Sequence, residues 1–551
     1  MPTVHEVTLS LLRRLGLTTI VGNPGSTEEP FLNDLPDDFT YVLALHEASA
    51  VGIADGLSQA TGAPVLVNLH TNAGLGNAMG NIVTARCAKT PLIITAGQQT
   101  REMLAHEPFL TNIDAETLPK PWVKWSHEPR RPQDVPAAFM RAYITAMQPP
   151  RGPVFLSLPM DDWNAPMEDV DVYRPASDRV APDPERLAAF ARALGASANP
   201  ALVYGGDVAR SGAFELGIAF AEKCGAPVFL TPLPERIPFP QDHPQYAGIL
   251  PPSIAPLRKR LEGHDLVLVV GAPVFRYYPW SPGAHLPDGT RLLHVTDDLD
   301  EAAKAVAGES LAGDAGLTLA ALAEAVSQRD RIMDATLASV TLASVTTASA
   351  PPLLEQSASG APAAGDGVMT AKALFEALSE ALPQDEVVVV NESPSNMAEF
   401  FQTKIGRITR PDGYYLTASG GLGWAMPAAV GLAMAEKRSG RARPVIVLSG
   451  DGSFQFSPQA LWTAVRQGVH LVCVVLRNRE YAILKGFAKM EKLANVPGLD
   501  LPGIDCVSLA RGWGAWAVRA QTPVEAGAAF AKALAGGGVT VIEVPVAGQG
   551  G

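Results

Sequence analysis

The 551-residue sequence predicts an α/β protein made of three doubly wound parallel-sheet domains. Short β-branched runs end in polar or glycine residues and pass at once into segments with helical apolar spacing, which is the alternation of βαβ units. An Ala-, Ser- and Pro-rich stretch at 336–368 reads as an extended, partly ordered linker. Residues 1–180 and 181–335 each read as one α/β block ahead of it, and 369–551 as a third.

In the first block, Val4, Val7, Leu11, Leu12 and Leu15 repeat at helical spacing. Four strands are then expected. Thr18–Val21 ends at Asn23-Pro24-Gly25-Ser26, Tyr41–Leu45 at His46-Glu47, Pro64–Leu69 at His70, and Pro91–Ala96 at Gly97-Gln98-Gln99. An open parallel sheet binds ligands beyond the carboxyl ends of its strands, so Ser26, Glu47, His70 and Gln98 are expected on one rim. The run Gly74–Gly80 resembles a loose dinucleotide fingerprint, but its last glycine is one residue late and no acidic residue follows a second strand. It reads as a Gly-rich turn making a tight helix–sheet contact.

The second block shows strands at Ala201–Tyr204, Pro227–Leu230, Asp265–Val270 and Leu292–Thr296. Gly205-Gly206-Asp207 is a weak nucleotide signal. The aromatic-rich loop Gly271–Pro287 follows a strand directly and is placed to project towards a site. In the third block, a helix at Thr370–Leu382 precedes strands at Glu386–Val390, Pro444–Ser449, Leu471–Leu476 and Thr540–Val544. Two of these strands, joined by a helix, put Asp451 and Asn478 at neighbouring strand ends. A carboxylate and an amide oxygen converging there suit a hard divalent cation that keeps part of its shell for phosphate. Gly450, Gly452 and Ser453 let backbone N–H groups approach such phosphates.

Composition narrows the class. Hydrophobic content of 47% with 18% charged residues describes a well-buried globular protein, and a formal net charge of -13 argues against nucleic acid and anionic membranes as partners. Cys87, Cys224, Cys473 and Cys506 lack metal or disulfide spacing and fit a reducing compartment. The N-terminal segment is amphipathic without a secretory core, and no apolar run approaches a membrane span, so a cytoplasmic location is expected.

The strand ending Gly450-Asp451-Gly452, followed by Asn478 after a second strand, resembles the diphosphate-and-metal motif of thiamin-diphosphate enzymes, with Arg477 in place of the motif's usual first Asn. The chain is similar nearly end to end to thiamin-diphosphate-dependent decarboxylases, and within them to the branch acting on benzoylformate. The likeness runs through Val21–Ser26, the segment around Glu47, Val67–His70, Gly76–Gly80, Thr95–Thr100, Gly271–Tyr277, Gly420–Gly423, Gln459–Ala464 and Ala494–Asp505.

That resemblance implies a pyrimidine-binding domain, a central Rossmann-like domain without a bound nucleotide, and a diphosphate-binding domain. It implies thiamin diphosphate with Mg²⁺ or Ca²⁺ on Asp451, Asn478 and Glu480. Glu47, in an apolar pocket, would hydrogen-bond the aminopyrimidine, with Asn23 beside it. Leu422 would sit under the bend of the cofactor, the Gly420 carbonyl on its amino group, and Ser395, Gly450, Gly452, Ser453 and Tyr481 around its diphosphate. His70 and Ser26 match the acid–base positions, where a histidine suits proton transfer near neutral pH. Tyr278 stands where this branch carries a second catalytic histidine, and His285 lies further along the same loop. Leu110, Ile483 and Phe487 match the substrate pocket, with Gly486 replacing an aromatic and Pro394 a hydroxyl residue. The expected activity is non-oxidative decarboxylation of an aromatic or bulky 2-keto acid, with a small-molecule partner and no nucleic acid or membrane. The alternatives are a carboligase or 2-hydroxyacyl-CoA lyase, and a weakly active cofactor-binding regulatory protein. A homodimer or homotetramer with the site between subunits is implied.

Overall fold

The computed structural model describes residues 1–329, 369–383 and 387–548, so the expected linker at 336–368 lies outside the described residues. Val- and Ile-rich runs without polar alternation become strands covered on both faces, as parallel sheets require. The first sheet comprises β1 (Thr19–Gly22), β2 (Thr40–Leu43), β3 (Val65–Leu69), β4 (Leu92–Gln98), β5 (Ser126–His127) and β6 (Val154–Pro159). The second comprises β7 (Pro200–Tyr204), β8 (Val228–Leu230), β9 (Tyr246–Ile249), β10 (Leu266–Val270), β11 (Arg291–Thr296) and β12 (Glu309–Ala312). The third comprises β13 (Val388–Glu392), β14 (Tyr414–Leu416), β15 (Val445–Gly450), β16 (Leu471–Arg477), β17 (Trp516–Arg519) and β18 (Val539–Pro545).

The pairing orders are β2-β1-β3-β4-β6-β5, β12-β11-β10-β7-β8-β9 and β14-β13-β15-β16-β18-β17. The first and third sheets therefore share one topology, whose order reverses between the first and third strands. The second has the dinucleotide-fold order. These sheets confirm the expected fold class of three doubly wound parallel sheets. Strands β5, β6, β9, β12, β14 and β17 are additions to the expected set, most of them short and all at or next to a sheet edge. The Gly-rich run at 74–80 is a correction: it lies inside the helix Thr71–Cys87. A side chain on Gly74 would meet the Glu47 Cγ at 3.0 Å, so its close contact is with the Glu47 helix and not with the sheet.

The terminal domains share one apolar core, in which Val21, Val67 and Ile94 of the first sheet and Val390, Val447 and Val475 of the third belong to a single cluster. Two helices make the join, Glu47–Thr61 and Ala425–Ser439. Glycines allow their backbones to touch. A Cβ on Gly56 would lie 2.0 Å from the Ala428 carbonyl oxygen, and one on Gly431 would lie 2.0 Å from that of Ile53. Asp55, buried in the same seam, accepts from the Trp424 indole N–H at 2.6 Å. No helix among the described residues is long and apolar enough to cross a membrane.

The central domain is tied to the first by charge. Lys89 donates to Asp207 at 2.7 Å and to Asp297 at 3.5 Å, and Arg210 bridges Asp207 and Glu235 at 2.7 and 2.8 Å. Burial alone would raise the Asp207 carboxyl, but the Lys89 and Arg210 charges outweigh it and hold it well below the usual carboxylate range. Its contribution to stability is therefore complete above the unfolded carboxylate value and is lost as pH falls below it. Asp207→Asn leaves two buried cations without their shared partner and should destabilise the chain by about 3 kcal/mol, read as a lowered urea midpoint at neutral pH that converges with the native one in acid.

Candidate active site

In both terminal sheets the chemistry-bearing residues gather at the switch point between the first and third strands, where a doubly wound sheet opens its ligand crevice. In the first sheet, Asn23 follows β1 and His70 follows β3, while Glu47 opens the helix after β2. Glu47 is buried, and its two carboxylate oxygens accept from the Asn23 and Asn77 side-chain amides at 3.0 and 3.1 Å. The expected apolar surround is thus replaced at the carboxylate itself by two polar donors.

His70 is organised by a residue that spacing alone does not mark. Its Nδ1 lies 2.8 Å from an oxygen of Glu28, which is fully buried. The Glu28 carboxylate also accepts from the N–H groups of Gly25 at 2.9 Å, Gly97 at 2.7 Å and Thr71 at 3.3 Å, and from the Thr27 hydroxyl at 2.8 Å. An ionised carboxylate accepts only, so this contact favours the tautomer with the proton on Nδ1 of His70 and Nε2 as the basic nitrogen. Gly25 has no side chain because the ring occupies that space: a Cβ there would fall 2.0 Å from Nδ1. Two side-chain-bearing residues nearby have left-handed backbones, Thr71 at φ 41° and Leu110 at φ 67°. Such strain persists where the surrounding structure imposes it, and it concentrates at functional sites.

Ser26 is exposed on the same turn as Gly25. Gln98, expected on the rim, is buried instead. Its amide locks the Asn112 backbone and Glu128, so it is a structural fastener.

In the third sheet, Asp451 follows β15 and Asn478 follows β16, and the two strands run side by side to the pair Gly450 and Leu476. Asp451 is 1% exposed, and burial pushes its carboxyl upward against hydrogen bonds from the backbone N–H groups of Arg479 and Gly452, at 2.8 and 3.0 Å. The Asn478 side-chain oxygen accepts from the Glu480 N–H at 3.2 Å. Glu480, the third residue of the expected ligand set, has its carboxylate ion-paired with Lys485 at 2.5 Å. The Gly452 position is closed by the Tyr481 ring, which a Cβ would meet at 2.6 Å. Ser453 donates to the Glu392 carbonyl oxygen at 3.2 Å, and Ser395 lies in the short turn 394–396 after β13. Gly420 and Leu422 lie in the turn ahead of the helix Ala425–Ser439, with Gly420 at φ 77° and open space where a side chain would start.

Tyr278 is 59% exposed, and its ring stands edge-on to Phe487 at 4.9 Å between centroids. The central-domain loop thus reaches the helix Ala482–Met490, which also carries Ile483. His285 does not join them. Its Nδ1 sits 3.0 Å from the Tyr277 hydroxyl.

Three family descriptions match this arrangement domain by domain: the N-terminal TPP binding domain of thiamine pyrophosphate enzymes at residues 2–118, their central domain at 187–322, and their C-terminal TPP binding domain at 398–544. Benzoylformate decarboxylase of Pseudomonas aeruginosa is 43% identical over 549 residues, covering 99% of both chains. The chain belongs to the thiamine pyrophosphate enzyme family. Its structure resembles that of benzoylformate decarboxylase from Polynucleobacter necessarius, with a TM-score of 0.91, 52% identity and 99% of each chain covered. It likewise resembles the 4-hydroxybenzoylformate decarboxylase of Rhodococcus jostii RHA1, with a TM-score of 0.90, 41% identity and 100% of both chains covered.

Asp451 and Asn478 form a donor set whose chemistry fits a divalent cation. Among the described residues no three or more His, Cys, Asp or Glu side chains form a closed metal cage. One carboxylate and one amide oxygen suit a hard cation that fills the rest of its shell with backbone, water and phosphate oxygens. Asp451→Asn is expected to weaken Mg²⁺-dependent thiamin diphosphate binding by more than the roughly 10–100-fold that loss of an outer partner costs a metal site. Glu480→Gln should leave it near the native value in the same calorimetric titration.

Proposed function

We propose that this chain is a carboxy-lyase that removes CO₂ from an aromatic 2-keto acid of the benzoylformate type and releases the aldehyde. The observation that carries this reading is the pairing, around one switch point, of Glu47 held by two amides with His70 held by Glu28. The likeness to the Pseudomonas, Polynucleobacter and Rhodococcus decarboxylases supports the substrate class.

Bound thiamin diphosphate supplies the carbon nucleophile and accepts the electron pair left when CO₂ departs. The protein's share is orientation, proton transfer and exclusion of water. Glu47, fixed by Asn23 and Asn77, is the carboxyl that holds the pyrimidine end and moves a proton there. Asp451 and Asn478 hold the cation at the diphosphate end, with Gly450, Gly452, Ser453 and Ser395 offering donors to phosphate oxygens. His70, with its proton on Nδ1 directed to Glu28, uses Nε2 to give or take a proton at the substrate oxygen and carbon. Ser26 stands beside it. Leu110, Ile483, Phe487 and the Tyr278 ring form apolar walls, which favour the loss of a charged carboxylate over its retention.

The site is completed between two copies of the chain. Leu45, two residues before Glu47, and Phe456, three after Ser453, are large apolar side chains exposed beside the two halves of the site. Such surface is what a subunit interface covers. Carboligation is the second reading, and Tyr278 favours it, since a phenol in place of the branch's histidine alters proton delivery on the product side.

Incubation with benzoylformate, thiamin diphosphate and Mg²⁺ should yield benzaldehyde and CO₂. If no aldehyde forms at saturating cofactor and substrate, the decarboxylase reading is wrong. Glu47→Gln should lower turnover at least ~100-fold, within the range general acid–base groups contribute. Glu28→Gln should cut kcat by roughly 10–100-fold, as expected for a partner that orients a reacting side chain, with a smaller change in KM.

A further inference from the structure

We infer that Glu392 is a positioning residue that locks the two loops flanking the third sheet's crevice into one rigid unit. This rests on the reading that thiamin diphosphate occupies that crevice. Glu392 is the last residue of β13, at the switch point, and is 3% exposed. Its side chain leaves the strand and accepts three backbone N–H groups: Gly423 at 3.1 Å on one oxygen, and Trp424 at 3.0 Å and Ala425 at 3.2 Å on the other. These N–H groups belong to the first residue of the helix Ala425–Ser439 and the two residues that lead into it, and the helix's own N-cap residue, Trp424, makes no side-chain cap bond. Glu392 therefore caps from a different element, 31 to 33 residues away in sequence.

The same residue grips the other loop through its main chain, because its carbonyl oxygen accepts the Ser453 hydroxyl. Turn 420–424 and the short helix Asp451–Phe454 are thus both fastened to one strand-end residue. The turn needs such a fastener. Gly420 and Gly423 both have left-handed backbones, and Gly420 has nothing within 4 Å of its Cβ direction to hold it. At Gly423 a side chain would collide with the Phe456 Cβ at 2.6 Å, so the turn cannot be stiffened by bulk. Charge-assisted bonds from a buried carboxylate do it instead. A cofactor held by both loops must have their spacing fixed before it binds, and a misplacement of one ångström is costly in such a site.

The test uses the full-length protein. In the native chain without cofactor, the amides of Gly423, Trp424 and Ala425 should exchange with deuterium as slowly as those of β15, and fast exchange overturns the proposal. Glu392→Gln keeps the volume but turns an N–H₂ group towards one donor. Per folded molecule it should slow deuterium exchange at C2 of bound thiamin diphosphate by roughly tenfold or more, as loss of an orienting partner does. A residue that only capped the helix would lower the melting temperature and leave that rate unchanged, and an unchanged rate in the folded variant overturns the proposal. Should Glu392→Gln not fold, Glu392→Asp, too short to reach all three N–H groups, is read in the same way. Failure of the native chain to bind thiamin diphosphate would overturn the functional reading itself, whereas binding with an unchanged variant rate removes only the role of Glu392.

Discussion

Everything at the two switch points is referred to one packing contact, the glycine-mediated seam between the helices Glu47–Thr61 and Ala425–Ser439. Each helix begins at a candidate site residue or in the turn that carries one, so the seam fixes where both halves of the site start. Gly56 and Gly431 bring each backbone against the carbonyl oxygens of the other helix, at distances no Cβ tolerates. Trp424 then spans the seam to Asp55, a buried carboxyl raised by burial against its hydrogen bonds. Close packing of this kind transmits position, because the interior is too dense to absorb a shift.

Buried carboxylates do comparable work on either side of the seam. Glu28 accepts five donors in the N-terminal domain and Glu392 three in the C-terminal one, and each collects backbone N–H groups from loops remote in sequence. Burying a carboxylate is costly unless it is fully hydrogen-bonded, and that cost makes the loops around it cooperative. Burial brings Glu392 up to about 7 against the pull of its three N–H partners, whereas Asp207, also buried, is pulled down by two cations. The same solvent exclusion thus gives opposite results according to whether the partners are dipoles or full charges.

The sequence shows well those features whose cause is local. Uninterrupted Val and Ile runs became strands within a residue or two of their expected bounds, and Asp451 and Asn478 fell at neighbouring strand ends because a parallel βαβ unit puts them there. What it hides has a partner far along the chain. Glu28 looks like one of two acidic residues in a turn until His70, 42 residues on, closes against it. Asn77 sits in a glycine-rich run that resembles a turn, but helix formation there turns its amide towards Glu47. Glu480 reads as a metal ligand in the sequence, and only the fold reveals the ion pair between its carboxylate and Lys485.

The shared strand order of the first and third sheets explains why two half-sites look alike in construction and differ in chemistry. Each places a buried carboxylate at its switch point and a reacting or ligating residue on the strands beside it. The first sheet surrounds Glu47 with two amide donors and sets His70 against the Glu28 carboxylate, the half that we propose moves protons. The third brings Asp451 and Asn478 to neighbouring strand ends beside the small residues Gly450, Gly452 and Ser453, the half that we propose takes the cation and diphosphate. The central sheet, with a different order, fills its strand ends with Asp207, Arg210 and Glu235 and receives Lys89 from the first domain. Its crevice is thereby spent on docking, and its contribution to the site is made by the loop that carries Tyr278 to Phe487.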